Sequence, residues 1–393
     1  MRHFYVRVGF TLTVFGCGGG GAPSGSATAA SMPLASSSAS TAATARVPAT
    51  APRAPVTQLA AFGDVTCARH QDGAVRCWGD NQYNVISNED SSLARPSFRR
   101  PQMIANLPPA AEVALGPSYA CARLVDGTVR CWGTDDGDLG LGTPLPAGPP
   151  PHTETPMPVL GLTGVTALSI FDHVCALLDS KAVTCFGDYD RGVGDPRDAG
   201  SRVPVVVPGF AGALQIADGG TLSCARLPSS VKCFRDVSPG LIPKGKVRAD
   251  PFTITVSNVA LIAVADSGGC AITTTGTLSC WGGVPFASMG ASSLTVAHAI
   301  PGVRDIVAIA LNDGLACMIT KAGDVLCDAA DYGKQHVPTK VVGINAAVSI
   351  VVGSSHACAL TRDGTVSCWG QNDQGQLGDG ALSDRASASP VIW

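Results

Sequence analysis

Charged residues are scarce in this sequence. Only 15% of its 393 residues are charged, and 27 lysines and arginines against 30 acidic residues give a formal net charge of −3. A chain without an excess of basic residues generates no field that would attract nucleic acid or an anionic membrane surface. We therefore expect no nucleic-acid partner, and no membrane contact beyond a covalent lipid anchor.

Aromatic residues are few and catalytic motifs are missing. Aromatics make up 5% of the chain, whereas glycine (46) and proline (28) are plentiful, which favours an all-β protein with short strands and many turns. No G-x-S-x-G, H-E-x-x-H or phosphate-loop motif is present. We predict no catalytic residue, no metal and no cofactor, although a site assembled from distant positions is left open.

The first residues have the order of a secretory signal peptide. Arg2 and Arg7 precede an apolar run, residues 8–15, that is too short to span a bilayer as a helix. Cys17 follows directly and resembles the acylated cysteine of a bacterial lipobox, from which Phe15 departs. We predict a signal peptide over 1–17 with lipid on Cys17, secretion with cleavage elsewhere being the alternative. Residues 18–54, rich in Ala, Ser, Gly and Pro, are predicted to be a flexible tether.

The remaining fourteen cysteines form seven local pairs. Nine residues separate the members of six pairs and eight separate the members of the other, and successive first cysteines are 41 to 54 residues apart. Such a period is typical of a propeller or a solenoid. The pairs are Cys67 and Cys77, Cys121 and Cys131, Cys175 and Cys185, Cys224 and Cys233, Cys270 and Cys280, Cys317 and Cys327, and Cys358 and Cys368.

Each pair brackets a predicted β-hairpin. In CALTRDGTVSC, a three-residue loop of Arg362, Asp363 and Gly364 would place the glycine in the left-handed region and Cys358 opposite Cys368. That register puts the cysteines at a non-hydrogen-bonded pair, where the strands approach most closely and a disulfide fits. Structural zinc sites instead use cysteines about two to four residues apart, so the spacing favours disulfides over zinc.

The shortened hairpin CARLPSSVKC supports the same reading. A two-residue loop of Pro228 and Ser229 still brings Cys224 opposite Cys233. A Val or Leu stands two residues before every second cysteine, and Ala follows the first cysteine in six of seven repeats. By strand alternation these two sets lie on opposite faces of the sheet, so the sequence predicts one packing rule repeated seven times.

Further strands complete each repeat. An apolar alternating run precedes every first cysteine, and most of these runs follow a short strand with a proline, such as PQMIANL. Three to four strands in each of seven repeats predict a seven-bladed β-propeller over residues 55–393, with one hairpin disulfide in each blade. The first repeat lacks the proline strand, and the chain ends with a spare one, ASPVIW. We expect this last strand to complete the first blade and close the ring.

These residues carry a family resemblance. GSSHACALTRDGTVSCWGQNDQGQLGDG, YACARLVDGTVRCWGTDDGDLGLG and CAITTTGTLSCWGG resemble the repeat of the regulator of chromosome condensation family, and the paired cysteines resemble its exported bacterial version. The resemblance covers about residues 55–393 and is weak in the middle, where CFRD and CDAA replace CWG. It implies a seven-bladed propeller. Among the family's functions, nucleotide exchange in the nucleus does not suit an exported chain, whereas inhibition of β-lactamases by a secreted member suits it.

Several residues could be mistaken for a site. Tryptophans at one repeat position (Trp78, Trp132, Trp281, Trp369) are predicted to pack between blades, and His173 and His356 to make structural hydrogen bonds. Asp72, Asp126 and Asp363 suit turns, and Asp135 to Gly142 only weakly resembles a calcium loop. Two insertions, residues 84–101 and 141–158, are either recognition loops or tolerated insertions.

The sequence thus favours a binding protein over an enzyme. We predict an extracytoplasmic, lipid-anchored, monomeric protein of the bacterial cell envelope that binds a protein partner, as an inhibitor or an envelope interaction module. Two alternatives stay open. One is a hydrolase or lyase with acids in the central funnel, and the other is a purely structural envelope component.

Overall fold

A computed structural model describes most of the chain. The described residues are 53–87, 97–135, 137, 139–142, 151–153, 155–187, 201–235, 251–285, 293–329 and 338–393. The predicted signal peptide, Cys17 and the tether up to residue 52 lie outside them, as do parts of both insertions. Within the described ranges, no helix has the length and apolar character needed to cross a membrane.

The described residues form 28 strands in seven four-stranded antiparallel sheets, each built from four consecutive strands. The first strands of the sheets are β1 (Val56–Phe62), β5 (Ala110–Leu115), β9 (Val165–Ile170), β13 (Gln215–Asp218), β17 (Val259–Val264), β21 (Ile306–Leu311) and β25 (Ala347–Val352). The second strands are β2 (Val65–His70), β6 (Tyr119–Leu124), β10 (His173–Leu178), β14 (Leu222–Arg226), β18 (Gly268–Thr273), β22 (Leu315–Thr320) and β26 (His356–Thr361).

The outer half of each sheet is less regular. The third strands are β3 (Val75–Asp80), β7 (Val129–Gly133), β11 (Val183–Gly187), β15 (Val231–Arg235), β19 (Leu278–Gly282), β23 (Val325–Ala329) and β27 (Val366–Gly370). The outermost strands are β4 (Ser97–Met103), β8 (Met157–Pro158), β12 (Ser201–Val206), β16 (Phe252–Ile254), β20 (His298–Ala299), β24 (Thr339–Lys340) and β28 (Arg385–Pro390).

The seven sheets are the blades of a closed ring. Each first strand contacts the first strand of the next sheet, and β25 of the seventh sheet contacts β1 of the first. The first strands therefore surround a central axis. The seven-bladed propeller predicted from the cysteine period is confirmed.

The predicted mode of ring closure is wrong. The last strand, β28, pairs with β27 and completes blade 7, whereas blade 1 is completed by β4, which contains the PQM of PQMIANL. Each proline strand thus belongs to the hairpin before it rather than the one after it. Blade 7 and blade 1 exchange no strand, so side chains and loops alone hold the ring closed between them.

The hairpin geometry agrees with the sequence argument. Cys358 lies directly opposite Cys368, and Gly364 has a φ of +85°. In the one long hairpin without glycine at this position, Lys181 adopts the same left-handed backbone with a φ of +64°. Each blade contains one disulfide between the predicted partners, including the shortened hairpin of blade 4.

The two faces of each blade pack by one rule. In blade 1, Cys67, Val75 and Cys77 share a buried cluster with Ala122 and Trp132 of blade 2. The corresponding face of every other blade meets the opposite face of the next, with Met318 in place of alanine in blade 6; in blade 7 it meets Ala68 and Trp78 of blade 1. Small side chains after the first cysteine let neighbouring sheets approach closely enough to exclude water.

Polar side chains join some innermost strands directly. The Gln58 amide donates to the Val113 carbonyl at 3.1 Å and accepts from the Val113 N–H at 2.9 Å. Gln215 makes the same pair of bonds with Ile262, at 2.7 and 3.0 Å. Innermost strands have an unpaired edge, and these side chains satisfy backbone groups that the ladder leaves open.

Replacing Gln58 tests this role. Gln58→Leu removes both partners of the buried Val113 backbone, so we expect a loss of about 2 to 4 kcal/mol in the free energy of unfolding. Gln102→Leu is the matched control, because Gln102 bonds only to the exposed Arg100 carbonyl. Denaturant titration of both variants measures the difference, and equal small losses would contradict the assignment.

The accessibility of the disulfides yields a second prediction. Cys327 is partly exposed, whereas the other thirteen paired cysteines are buried. Thiol–disulfide exchange needs in-line access to a sulfur. Limited reduction followed by alkylation and peptide mass spectrometry should therefore label Cys317 and Cys327 first. Earlier labelling of any other pair would show that exposure does not control reduction here.

Candidate functional site

The central axis is closed at one end by aromatic side chains. Phe62, at the end of β1, and Phe171, in the turn before β10, lie with ring centroids 5.3 Å apart at an interplanar angle of 71°. Both are buried. These residues belong to blades 1 and 3, and side chains of blades that are not neighbours can meet only near the axis.

A buried cluster continues from these rings. It includes Leu115 of blade 2, Phe171 of blade 3 and Ala265 of blade 5. The β13–β14 turn of blade 4 lies between the last two, because Gly220 packs against the Phe171 ring and Gly219 against the Ala265 backbone. The turns between the first and second strands of blades 3, 4 and 5 therefore pack together at this end of the ring.

Six innermost strands have a β-bulge, and the residue at each bulge is neutral. These residues are exposed or half-buried: Thr57, Ala111, Thr166, Ala260, Val307 and Val348. Two acids also lie on described innermost strands, and both are buried. Glu112 of β5 pairs with Arg123 at 3.1 Å, and Asp218 of β13 lies 3.0 Å from His173 Nε2.

Two acids near the closed end of the axis have structural partners. Asp266 accepts the Thr221 N–H at 2.9 Å, and Asp313 accepts the Ser267 hydroxyl at 2.7 Å. Burial raises the pKa of the Asp313 carboxyl, and the bonds from Ser267 oppose that rise. Each acid joins its turn to that of the preceding blade, so both are explained by inter-blade packing.

A cleft between blades 1 and 2 is a candidate binding feature among the described residues. Its volume is about 320 Å³, close to the lower end of the range for ligand pockets. Residues 84–87 and the stretch 103–105 form its blade 1 side. The blade 2 side consists of Trp132, Thr153, Thr155 and Pro156.

An asparagine organises the blade 1 wall of the cleft. Asn81 is buried; its side-chain oxygen accepts the Ile86 N–H at 2.7 Å, and its amide donates to the Ser87 carbonyl at 2.7 Å. These bonds fold the loop so that the Val85 carbonyl accepts the Trp132 indole N–H at 2.8 Å. The loop of blade 1 is thereby fixed to the tryptophan of blade 2.

The chemistry of the cleft is that of recognition. None of the described residues that line it is ionisable. Ile86, Ile104 and Trp132 supply a largely buried apolar floor, while Asn84 and Thr155 offer neutral hydrogen-bonding groups. Such a surface can bind a neutral or apolar segment.

The cleft unites the two insertions singled out from the sequence. Residues 84–87 open the first insertion, and Thr153, Thr155 and Pro156 belong to the second. Sequence gave no reason to expect them side by side, because they lie on neighbouring blades. The interpretation of both as recognition surface now has a common location.

The two histidines join neighbouring blades. His356 Nε2 lies 2.8 Å from the Thr66 hydroxyl of blade 1, and His173 Nε2 lies 3.0 Å from an Asp218 carboxylate oxygen of blade 4. Both imidazoles are buried. The cysteines beside His173 are joined to each other in the blade 3 disulfide, so this group provides no free thiolate for a metal.

The turn aspartates act locally, as expected. Asp72, Asp126 and Asp363 each accept the backbone N–H two residues further on, at 3.0, 2.9 and 3.1 Å. Hydrogen bonds from Thr128 and Thr361 lower the pKa of Asp126 and Asp363 respectively. Asp135, in the segment compared with a calcium loop, is buried and accepts the Gly137 N–H at 3.0 Å.

The tryptophans pack between blades. Trp78 donates to the Gln376 carbonyl of blade 7 at 2.9 Å, as Trp132 does to Val85 of blade 1. In each case the acceptor comes from the loop after the third strand of the preceding blade. That loop depends on Asn81 in blade 1 and on Asn372 in blade 7, whose side chain accepts the Leu377 N–H at 3.0 Å. Both asparagines stand three residues after a tryptophan in the sequence. This shared spacing was the sequence signal that they organise the loop.

The comparisons with known proteins agree with this architecture. The model of the regulator of chromosome condensation (RCC1) repeat matches residues 56–84 and 347–376, which lie in blades 1 and 7. The chain therefore carries this repeat in the two blades that meet where the ring closes. The search of curated proteins found no significant match.

Solved structures share the fold at low sequence identity. Human WBSCR16 is 20% identical with a TM-score of 0.65, over 81% of this chain and 95% of that one. Prp20p from Saccharomyces cerevisiae is 18% identical with a TM-score of 0.66, over 86% of each chain. Yeast RCC1 (Prp20) bound to Kap60 gives the same identity and TM-score, over 86% of this chain and 84% of that one.

The indole bond beside the cleft can be tested with two matched variants. Trp132→Phe leaves the Val85 carbonyl without its donor, and we expect a loss of about 1 to 3 kcal/mol in the free energy of unfolding beyond the packing change. Trp78→Phe removes the matching bond to the Gln376 carbonyl and should cost about as much. Phe186 occupies the same repeat position in blade 3 without an indole, so Phe186→Leu measures a packing change alone. A loss for Trp132→Phe no larger than that for Phe186→Leu in denaturant titration would contradict a specific contribution from the Val85 bond.

Proposed function

We propose that this protein is a protein-binding scaffold and that the cleft between blades 1 and 2 is its recognition site. The observation that carries the proposal is the convergence of both insertions on one cleft, whose described lining residues are neutral and largely apolar. Loops held by a rigid sheet framework commonly carry binding. The absence of ionisable groups from the described lining favours recognition over catalysis.

The similar solved structures support the functional class. RCC1-like propellers are commonly protein-binding scaffolds. Prp20p has binding properties to Gsp1p and histones, and yeast RCC1 (Prp20) was solved bound to Kap60. At 18% identity these partners are not transferred to this chain. The similarity supports only the use of such a ring for contacts with other proteins.

The cellular location is part of the proposal. Seven disulfides suit an oxidising compartment, and the residues around Cys17 resemble a lipobox. We place the propeller outside the cytoplasm, attached to the bacterial envelope by lipid on Cys17. A role as an inhibitor or as an envelope interaction module is consistent with that location.

A cleft-filling variant tests the site. Peptides selected from a random phage-displayed library on the wild-type protein are measured against Ala105→Trp, which places an indole at the exposed cleft position 105. We expect at least about a tenfold loss of affinity, equivalent to roughly 1.4 kcal/mol. Ala322→Trp, in an exposed turn of blade 6, is the matched control and should bind the peptides normally.

The outcomes separate the proposal from its competitors. Peptides that bind wild type and both variants equally would place recognition elsewhere on the ring. Failure to select any peptide would favour a purely structural envelope component. Thermal unfolding of the two variants shows whether any loss of binding reflects a loss of folding instead.

A further inference from the structure

The junction between blade 7 and blade 1 differs from every other junction in the ring. No connecting stretch of chain links these two blades, and they exchange no strand. We call this junction the closing seam; it comprises β25 to β27 and residues 371–380 on one side and β1 to β4 on the other. Backbone bonds across it include Ser354 N–H to the Gly63 carbonyl at 2.7 Å and Gly380 N–H to the Arg99 carbonyl at 3.0 Å.

A buried imidazole lies at the centre of the closing seam. His356 is 0% exposed, and its Nε2 lies 2.8 Å from the Thr66 hydroxyl of blade 1. The Thr66 hydroxyl donates its one proton to the Gln376 carbonyl at 3.1 Å. His356 must therefore donate through Nε2, which leaves Nδ1 as the unprotonated nitrogen of a neutral ring.

The second ring nitrogen has no partner. His356 Nδ1 is buried without a hydrogen bond, and the Gly353 backbone packs closely against that side of the ring. A proton added at Nδ1 would be a buried N–H on a cation, with no acceptor to satisfy it. Burial accordingly lowers the pKa of His356 to about 4.

A histidine at the same repeat position in blade 3 has a neighbouring carboxylate that His356 lacks. His173, also two residues before a first cysteine, faces Ser223 as His356 faces Thr66. It also lies 3.0 Å from the Asp218 carboxylate, which can balance an imidazolium charge. Asp218 pairs with Ser223 across its sheet, and the residue that pairs with Thr66 is the buried Ala61. The closing seam therefore has alanine where the blade 3–blade 4 junction has a counter-ion.

We propose that the closing seam is an acid-responsive closure, in which protonation of His356 opens the ring between blades 7 and 1 and Asp64 opposes that opening. The proposal is independent of the binding site in the cleft. It assigns to the seam a conformational role that the other six junctions do not share.

The direction of the His356 effect follows from linkage. The closed seam holds the pKa near 4, and an opened seam returns the imidazole to its ordinary value of about 6.5. The open state then binds more protons between these two values, so closure is fully favoured above pH 6.5 and weakens as the pH falls towards 4. Between pH 7 and 5 the opening constant should rise about twentyfold through this residue alone.

Asp64 acts in the opposite direction. Gln376 Nε2 donates to Asp64 at 3.4 Å and to Asp373 at 3.3 Å. Burial, with the neighbouring charges of Asp373 and Asp80, raises the pKa of Asp64 to about 6. The closed seam therefore binds the Asp64 proton more readily than an open seam does, and acidification strengthens closure through this carboxyl.

One further histidine lies at the other end of the closing seam. His70 is buried below Trp393, with ring centroids 5.2 Å apart, and bonds to the Ala54 carbonyl at 2.7 Å. Burial lowers its pKa, with added repulsion from Arg76 and Arg53. Protonation of His70 should therefore favour opening of the seam, as protonation of His356 does. The variants compared all retain His70, so that differences between them report on His356.

Hydrogen exchange of the full chain, measured by mass spectrometry, tests the proposal. Protection at Ser354 and Gly380 is compared at pH 7 and pH 5 after correction for the intrinsic exchange rate. In Asp64→Asn, which removes the opposing group, we expect seam opening to increase about twentyfold at the lower pH through His356. Adding His356→Gln, which keeps a donor to Thr66 but does not titrate in this range, should remove the part of that increase due to His356 and leave only the contribution of His70.

Two comparisons complete the design. With His356→Gln alone, the seam beside residue 356 should be better protected at pH 5 than at pH 7. Asp64 is then the group that titrates there, and its protonation strengthens closure. Ala61→Asp in the Asp64→Asn background supplies the carboxylate found beside His173 and should reduce the acid-induced opening. The proposal is overturned if Asp64→Asn shows no increase at pH 5, or if His356→Gln leaves that increase undiminished.

Discussion

The pairing of two cysteines across each hairpin is the constraint on which the rest of the structure depends. A disulfide fits only where antiparallel strands approach closely, so it fixes the register of the two central strands in every blade. Each bridge closes a loop of about ten residues and contributes about 2 to 3 kcal/mol in the chain-entropy account. Register in turn decides which side chains share a face, because neighbouring residues of a strand point to opposite sides.

Fixed register produces two unlike faces, and their complementarity builds the ring. Cysteines with Val or Leu form one face, and small alanines with an indole or a phenyl ring form the other. Each face is buried only against its opposite on a neighbouring blade, so the blades repeat until the last meets the first. At the closing seam, the Gln376 carbonyl accepts from both Trp78 and Thr66, so a loop replaces the strand exchange that the sequence had suggested.

Sequence predicted what depends on neighbours along the chain. Cys358, Gly364 and Val366 lie within one hairpin, so spacing and alternation were enough to place them. The sequence did not predict which of two hairpins an intervening strand joins. The strand β4 lies between the hairpins of blades 1 and 2, and only its observed pairing with β3 places it in blade 1. Contacts between blades, such as Phe62 with Phe171, depend on the curvature of the whole ring and have no local signal. The cleft was hidden for the same reason, because its two walls lie on different blades.

The functional conclusion rests on that framework. Rigid hairpins hold the loops of blades 1 and 2, and those loops form a neutral cleft suited to recognition. The measurement that tests the account most directly is peptide mapping of the intact protein under non-reducing conditions. The account predicts seven bridges, each within one hairpin, from Cys67 with Cys77 to Cys358 with Cys368. Bridges between cysteines of different blades would contradict it.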